Sequence, residues 1–359
     1  TEKISEYFME FRKAPTLEVL KIKITQMEDD ILKVSVIENL KEAWRNIEAS
    51  DLEFVKQETL GFCKNQVLKG AIVKAVDLLE QKRYDEIKTI IDAAMKAGSE
   101  RDLGHDYIIS LEDRLTKSVR NTLETPWDSV TNIMDGGLGA GELGVLVAPA
   151  GIGKTWCLQS IGAYLVKMGK TVVHYTLELN ADYVGLRYDT VFSGTPTANI
   201  KFYKDEVQKV IDKLKGKLMI KYYPTRSATV NTISAHLKQM EIQEIKPDVA
   251  IVDYADILKP TTFYKEKRHS IGETYENLRG IAGEFNIPIW TASQANRSSL
   301  EEEIIDATKI AEDYSKVMTA DFVMSISRKA EDKIANTGRF HVIKNRFGID
   351  GITFPASIN

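Results

Sequence analysis

Cysteine is nearly absent: Cys63 and Cys157 are the only two in 359 residues. The pair offers no disulfide framework and no metal-ligand spacing, so both read as small buried hydrophobes in a reducing cytoplasm. No apolar run reaches the ~18 residues of a membrane span, and no signal peptide leads the chain, so a cytoplasmic protein without a membrane partner is expected. An excess of one charge is missing too. The 48 Lys and Arg stand against 52 Asp and Glu, for a net charge of −4. That balance argues against a surface coated by nucleic acid but leaves room for a narrow basic channel. Gly and Pro are scarce from residue 1 to about 100, which leaves long helices as the reading there. The remaining composition, 43% hydrophobic and 28% charged, suits a soluble globular protein with a sizeable core, and the length suggests two or three domains.

Residues 1–98 read as a helical domain. Pro15-Thr16-Leu17-Glu18 is a helix start with Thr16 as cap, after which Leu17, Leu20, Ile24 and Met27 share one face. Further helices fit 34–49, 51–79 and 83–97. No catalytic constellation falls here, so assembly or docking is the expected role. A chain that opens at Thr1, already in helical pattern, is expected to be trimmed at its start. Residues 99–122 read as a linker. Within it, Asp106 to Arg120 is a short helix with the apolar stripe Ile108, Leu111 and Leu115. It is too short to stand alone and is expected to dock on its own domain or on a neighbouring subunit.

The third segment, 123–359, is organised around Gly144-Val145-Leu146-Val147-Ala148-Pro149-Ala150-Gly151-Ile152-Gly153-Lys154-Thr155. The apolar run Val145 to Val147 predicts a buried strand, and Trp156 to Met168 an apolar-periodic helix. Strand, small-residue loop and helix in that order are the context of a P-loop. Loop N–H groups and the helix N-terminus cradle phosphates, making Ala150, Gly151, Gly153, Lys154, Thr155 and Trp156 the expected nucleotide-binding residues. Lys154 can reach the β- and γ-phosphates, and the Thr155 hydroxyl can ligate Mg²⁺. The pattern's first Gly is Ala148 here, which costs little unless that position needs a positive φ.

From 143 onward strands and helices alternate. Strands are expected at 171–177, 218–223, 249–252, 287–292, 322–327 and 339–344, with helices at 229–239 and 270–285. The segment 352–358 reads as a strand or tail cut short. The pattern is α/β with a mostly parallel sheet, whose ligand sites lie at the carboxyl ends of strands. Three polar residues fall at such ends. Asp253 follows Val249-Ala250-Ile251-Val252 and can hold Mg²⁺ together with Thr155. Glu178 ends the strand after the P-loop helix and can act as general base. Gln294 can sense the γ-phosphate.

These stretches resemble the replicative DNA helicases of the DnaB superfamily, which have a RecA-like motor. The resemblance rests on Gly137-Leu138 with Gly141-Glu142-Leu143, on Ala148 through Thr155, and on Thr176-Leu177-Glu178-Leu179 and Ile251-Val252-Asp253-Tyr254. It extends to Ala292-Ser293-Gln294-Ala295-Asn296-Arg297 and Lys344-Asn345-Arg346-Phe347-Gly348. Gly104-His105-Asp106 and the shape of the first half look most similar to the hexameric helicases of T-even-like phages. The resemblance implies a RecA-like P-loop ATPase core preceded by an all-α domain and a linker helix. It also implies a homohexamer that uses ATP and Mg²⁺ on single-stranded DNA, with a primase and a helicase loader as partners. Arg346 would be the arginine finger on a neighbour's γ-phosphate, with Lys344 beside it on the same strand face. The DNA loop would be Lys309-Ile310-Ala311-Glu312-Asp313-Tyr314-Ser315-Lys316, where Ala311 replaces an Arg of bacterial relatives. Phosphate contact must then come from backbone N–H groups or from Lys309 and Lys316, and the expected DNA-binding residues of this loop are Lys309, Glu312, Ser315 and Lys316. Lys265, Lys267 and Arg268 form a second candidate set.

Two other readings fit parts of the pattern. A RecA-type recombination protein would form a filament, but the Arg346 motif and the helical first half favour a helicase ring. An ATP-binding loader or scaffold would turn over slowly, and an intact Glu178 argues against it.

Overall fold

The computed structural model describes residues 19, 33–34, 36–37, 52–81, 83–96, 120–262, 267–310 and 315–358. The chain divides into two compact units, Thr1–His105 and Asp106–Asn359. In the first, α1 (Leu52–Glu80) and α2 (Tyr84–Lys96) pack together. Ala71 and Ala94 are buried. Asp85 and Glu86 occupy the first turn of α2, where the helix dipole favours carboxylates. Both helices match the expected 51–79 and 83–97 within the usual fraying of helix ends. The Thr16 start, nearly all of the 34–49 helix and the linker helix up to Arg120 lie outside the described residues.

The second unit alternates strands and helices. In chain order these are β1 (Thr122–Leu123), α3 (Asp128–Ile133), β2 (Leu138–Gly139), β3 (Leu143–Ala148), α4 (Lys154–Lys167), β4 (Thr171–Thr176), α5 (Ala181–Ser193), α6 (Lys204–Ile211), β5 (Lys217–Tyr222) and α7 (Val230–Ile242). They continue as β6 (Val249–Asp253), α8 (Lys267–Phe285), β7 (Ile289–Gln294), α9 (Ser315–Thr319), β8 (Phe322–Ser327), α10 (Ala330–Ile334), β9 (Thr337–Asn345) and β10 (Thr353–Ser357). An eight-stranded sheet runs β10-β9-β8-β3-β7-β6-β4-β5. From β8 to β5 every pairing is parallel, while β9 and β10 are antiparallel.

The central strand explains itself. Every residue of β3, Leu-Gly-Val-Leu-Val-Ala, is buried, as a parallel strand covered on both faces should be. Its side chains alternate between two cores. Val145 and Val147 pack with Ile233 and Leu237 of α7 and Leu278 and Ala282 of α8. Leu146 and Ala148 pack with Leu158 and Ile161 of α4 and Val184 and Tyr188 of α5. Cys157 joins the second core, and burial pushes its thiol up to about 12. Helix ends follow local chemistry. Thr229 and Thr232 cap α7 reciprocally, each hydroxyl accepting the other's backbone N–H. The hydrophobic pattern predicts no element over 180–211, where α5 and α6 lie. Asn180, which accepts from Tyr183 N, and Gly194 at φ 72° mark the ends of α5. Among the described residues no helix is long and apolar enough to cross a membrane.

One ion pair anchors the start of this unit. Arg120 donates to both carboxylate oxygens of Glu142 at 2.8 Å, and to the carbonyls of Met134 at 2.8 Å and Gly137 at 2.9 Å. Its guanidinium lies 3.5 Å over the Phe347 ring. The side chains are only 19% and 13% exposed, so removing one partner strands a largely buried charge. Glu142→Ala is expected to destabilise this unit by about 3 kcal/mol in denaturant unfolding. A loss under ~0.5 kcal/mol would place the pair among weak surface bridges.

Candidate active site

Four neighbouring strands, β3, β7, β6 and β4, bring their carboxyl ends to one edge of the sheet. Register does the aligning. Ala148 pairs with Gln294, and Thr176 with Asp253. The leading residues of α4, together with Glu178, Gln294 and the adjoining loops, line one cleft of about 560 Å³. Its walls include Gly151, Lys154, Thr155, Glu178, Arg187 and Gln294. Ala150, Gly153 and Trp156 also line it, as do Leu179 and Tyr254.

The loop between β3 and α4 has the backbone a phosphate cradle needs. Gly151 and Gly153 sit at φ 75° and 115°, with open space where a side chain would project; only glycine adopts such angles freely. Ala148 is an ordinary strand residue, so its replacement of glycine costs the loop nothing. Lys154 Nζ donates to the carbonyls of Ala148 at 2.8 Å and Pro149 at 3.0 Å. Burial lowers its pKa, opposed by the carboxylates of Asp253, Asp256 and Glu178.

Asp253 is buried, and burial lifts its carboxyl from 3.8 to about 6 against the hydrogen bond from Thr155. Behind it, His174 Nε2 lies 4.0 Å from Asp253 Oδ2, and His174 Nδ1 bonds the Tyr188 hydroxyl at 2.8 Å. Burial drops His174 to about 3, so the ring is neutral. A hydroxyl and a carboxylate already in contact form the all-oxygen donor set that suits Mg²⁺. Such a cation would also remove the cost of burying the Asp253 charge.

Arg187 is a site residue that the sequence reading does not single out. Its guanidinium lies 5.1 Å from the Trp156 ring centre and 4.9 Å from that of Tyr183, and it favours the charged form of Asp253. The available signal is helical spacing. Tyr183 and Arg187 flank the buried stripe of Val184 and Tyr188 on α5.

Arg346 and Lys344 stand elsewhere. The end of β9 pairs with the start of β8, Asn345 with Phe322, level with the start of β3. β3 spans six residues, which at about 3.3 Å each puts Arg346 roughly 17 Å or more from its own P-loop. There Arg346 Nη1 bonds Asp321 Oδ1 at 3.0 Å and remains 45% exposed. Asp321 also accepts from Arg279 and from Leu143 N. Lys344 Nζ donates to the carbonyls of Val317 and Met318 at the end of α9.

Of the expected DNA contacts, Lys309 is partly exposed and bonded to Glu302 at 2.7 Å. Lys316 corrects the sequence expectation. It is 1% exposed, and its ammonium meets Asp256 at 3.0 Å and Ser293 Oγ at 3.1 Å beneath the sheet. Burial thus commits it to a carboxylate inside the subunit instead of to phosphate. Lys265 and Glu312 lie outside the described residues. The backbone places Lys267 and Arg268 in the first turn of α8, and Ser315 at the start of α9.

A P-loop facing strand-end carboxylates and a glutamine on a mostly parallel sheet defines a RecA-like nucleotide-hydrolysing motor. The family model of the DnaB-like helicase C terminal domain matches residues 123–353. The chain is 23% identical to the DnaB-like replicative helicase of Enterobacteria phage T4, covering 96% of this chain and 78% of that protein. It is 23% identical to the replicative DNA helicase DnaB of Helicobacter pylori over 45% of this chain and 34% of that one. A solved ATPase domain superposes with a TM-score of 0.59 at 16% identity, covering 69% of this chain and 93% of that chain. A DnaB-like replicative helicase, solved in a study of its interactions with primase, gives 0.60 at 14% identity, over 98% of this chain and 87% of that one. The chain belongs to the DnaB-like helicases. It is an ATP-dependent DNA helicase of the replicative type.

The buried Asp253 makes a stability test. Its folded pKa lies above the unfolded one, so the nucleotide-free fold loses stability as pH rises between 3.8 and about 6. Asp253→Asn is expected to stabilise that form by about 3 kcal/mol at pH 7 to 8 and by almost nothing below pH 4. Equal unfolding midpoints at pH 8 would mean that the carboxylate carries no burial penalty.

Proposed function

We propose that this helicase works as a hexameric ring that hydrolyses ATP with Mg²⁺ at sites shared between subunits. It translocates on single-stranded DNA and unwinds the duplex ahead by exclusion. In each site Lys154 and the loop N–H groups hold the phosphates. Thr155 and Asp253 hold the metal, which when bound neutralises charge on the phosphate oxygens. Glu178 takes the proton of the attacking water. Gln294 faces the γ-phosphate. Arg346 of one subunit, flanked by Lys344, completes the site of the next. Lys309, Glu312 and Ser315, and the 265–268 segment, face DNA in the channel. Residues 1–98 serve assembly, 99–122 carry the docking linker and 123–359 form the motor. A primase and a helicase loader are the expected partners. The structural relative solved for its interactions with primase supports the first.

The observation that carries the shared site is the placement of Arg346. It lies at the sheet edge opposite its own P-loop, half-exposed and near Lys344. A cation there serves a phosphate only on another subunit.

The test is mixing. Arg346→Ala is expected to retain nucleotide binding and lose about 10³-fold in hydrolysis. Glu178→Gln is expected to bind nucleotide and lose roughly 10²-fold or more. In mixed rings some interfaces pair an intact Glu178 and P-loop with an intact Arg346, and activity should rise above that of either variant alone. No recovery, in mixed rings verified by native mass measurement, would contradict action in trans.

A further inference from the structure

The corrected placement of Lys316 points to a device behind the active site. Asp256 follows Asp253 by three residues, and both its oxygens are engaged. Oδ1 accepts from the Tyr275 hydroxyl at 2.7 Å and from Lys316 Nζ at 3.0 Å. Oδ2 accepts from the backbone N–H of Gln294 at 3.0 Å and from Ser293 Oγ at 3.2 Å. Lys316 is 1% and Asp256 10% exposed.

We propose that Asp256 and Lys316 are a positioning pair that sets the backbone of Gln294 and fastens it to α9. A buried ion pair is a poor route to stability, since packed apolar groups of similar volume do as well or better. What the pair supplies is geometry. The carboxylate reaches a main-chain N–H at the tip of β7, and Lys316 is the cation in contact with it, beside the Tyr275 and Ser293 hydroxyls. Lys316 belongs to the helix that closes the 309–316 loop. The opening of that loop is pinned to the same strand end, because Asn296 N donates to the Lys309 carbonyl at 2.9 Å and Ala295 bridges Ile310. Lys344 holds the far end of α9 through the Val317 and Met318 carbonyls. A change in the Gln294 backbone on gain or loss of the γ-phosphate therefore pulls on Asp256, and through Lys316 on both α9 and the loop. This inference rests on the proposed roles of Gln294 and of that loop. It adds the link between them.

The test uses the full chain carrying Asp256→Asn with Lys316→Met, which removes both charges together. The readout is the factor by which a non-hydrolysable ATP analogue tightens binding of a labelled oligo-dT, against the unmutated chain. With melting temperature and nucleotide affinity close to those of the unmutated chain, that factor is expected to fall about five-fold or more, within the usual range of coupling between sites. A folded double variant whose factor stays within about two-fold of the original overturns the proposal. Hydrogen exchange on the unmutated chain gives a second answer that needs no variant. The analogue should alter exchange of the 315–320 amides along with protection of the P-loop. P-loop protection with unchanged 315–320 amides overturns the positioning pair. No P-loop protection at all overturns the nucleotide-site reading beneath it.

Discussion

Parallel register is the constraint on which the rest of this motor depends. Ala148 opposite Gln294, and Thr176 opposite Asp253, put the carboxyl ends of these four strands at one edge of the sheet, with β3 and β7 reaching two residues past β6 and β4. A slip of one residue in any pairing would turn the whole strand over, exchanging the side chains of its two cores. The buried alternation of Val145 and Val147 against Leu146 and Ala148 is therefore what places Lys154 beside Asp253. The same geometry sends the antiparallel β9 back down the sheet. It leaves Arg346 at the edge away from its own P-loop, the placement on which the proposed shared site rests.

Charge inside this fold is concentrated at a few junctions. Asp321 joins Arg279, Arg346 and the start of β3. Asp256 joins Lys316, Tyr275 and the end of β7. Glu142 joins Arg120 to the turn before β3. Each is a carboxylate that touches main-chain N–H as well as a cation, so each fixes backbone position as well as charge. Glu142 and Asp321 stand at the start of β3, and Asp256 at the far end of β7. Separate polar clusters thus stand at the two edges of the sheet, one beside the arginines and one beside the cleft.

Much of this is legible in the sequence because it is encoded locally. Buried strands announce themselves as apolar runs, and Asp253 and Gln294 stand out as the polar residues that end them, while Glu178 falls in the bend two residues past the end of β4. The expected 322–327 strand is the observed β8. What is illegible is encoded in pairs distant along the chain. Lys316 reads as a loop cation because nothing near it in sequence reveals Asp256, sixty residues earlier. Arg187 is an arginine in a stretch where no element is expected, until α5 lays it against Trp156. Glu142 reads as part of a family motif, whereas its role in the fold is the ion pair with Arg120. The helices α5 and α6 bury only a short apolar stripe or a single Val207. Their plainest local signal is therefore the pair of caps, Asn180 and Gly194, and it marks α5 alone.

The central claim is that one subunit holds half of a working site. It is tested most directly by native mass measurement and negative-stain imaging of the full chain with an ATP analogue, Mg²⁺ and single-stranded DNA, alongside hydrolysis at the same concentrations. Closed hexameric rings are expected, with hydrolysis lost on dilution as the rings fall apart. Full hydrolysis by dispersed single subunits, or open filaments in place of rings, would contradict it.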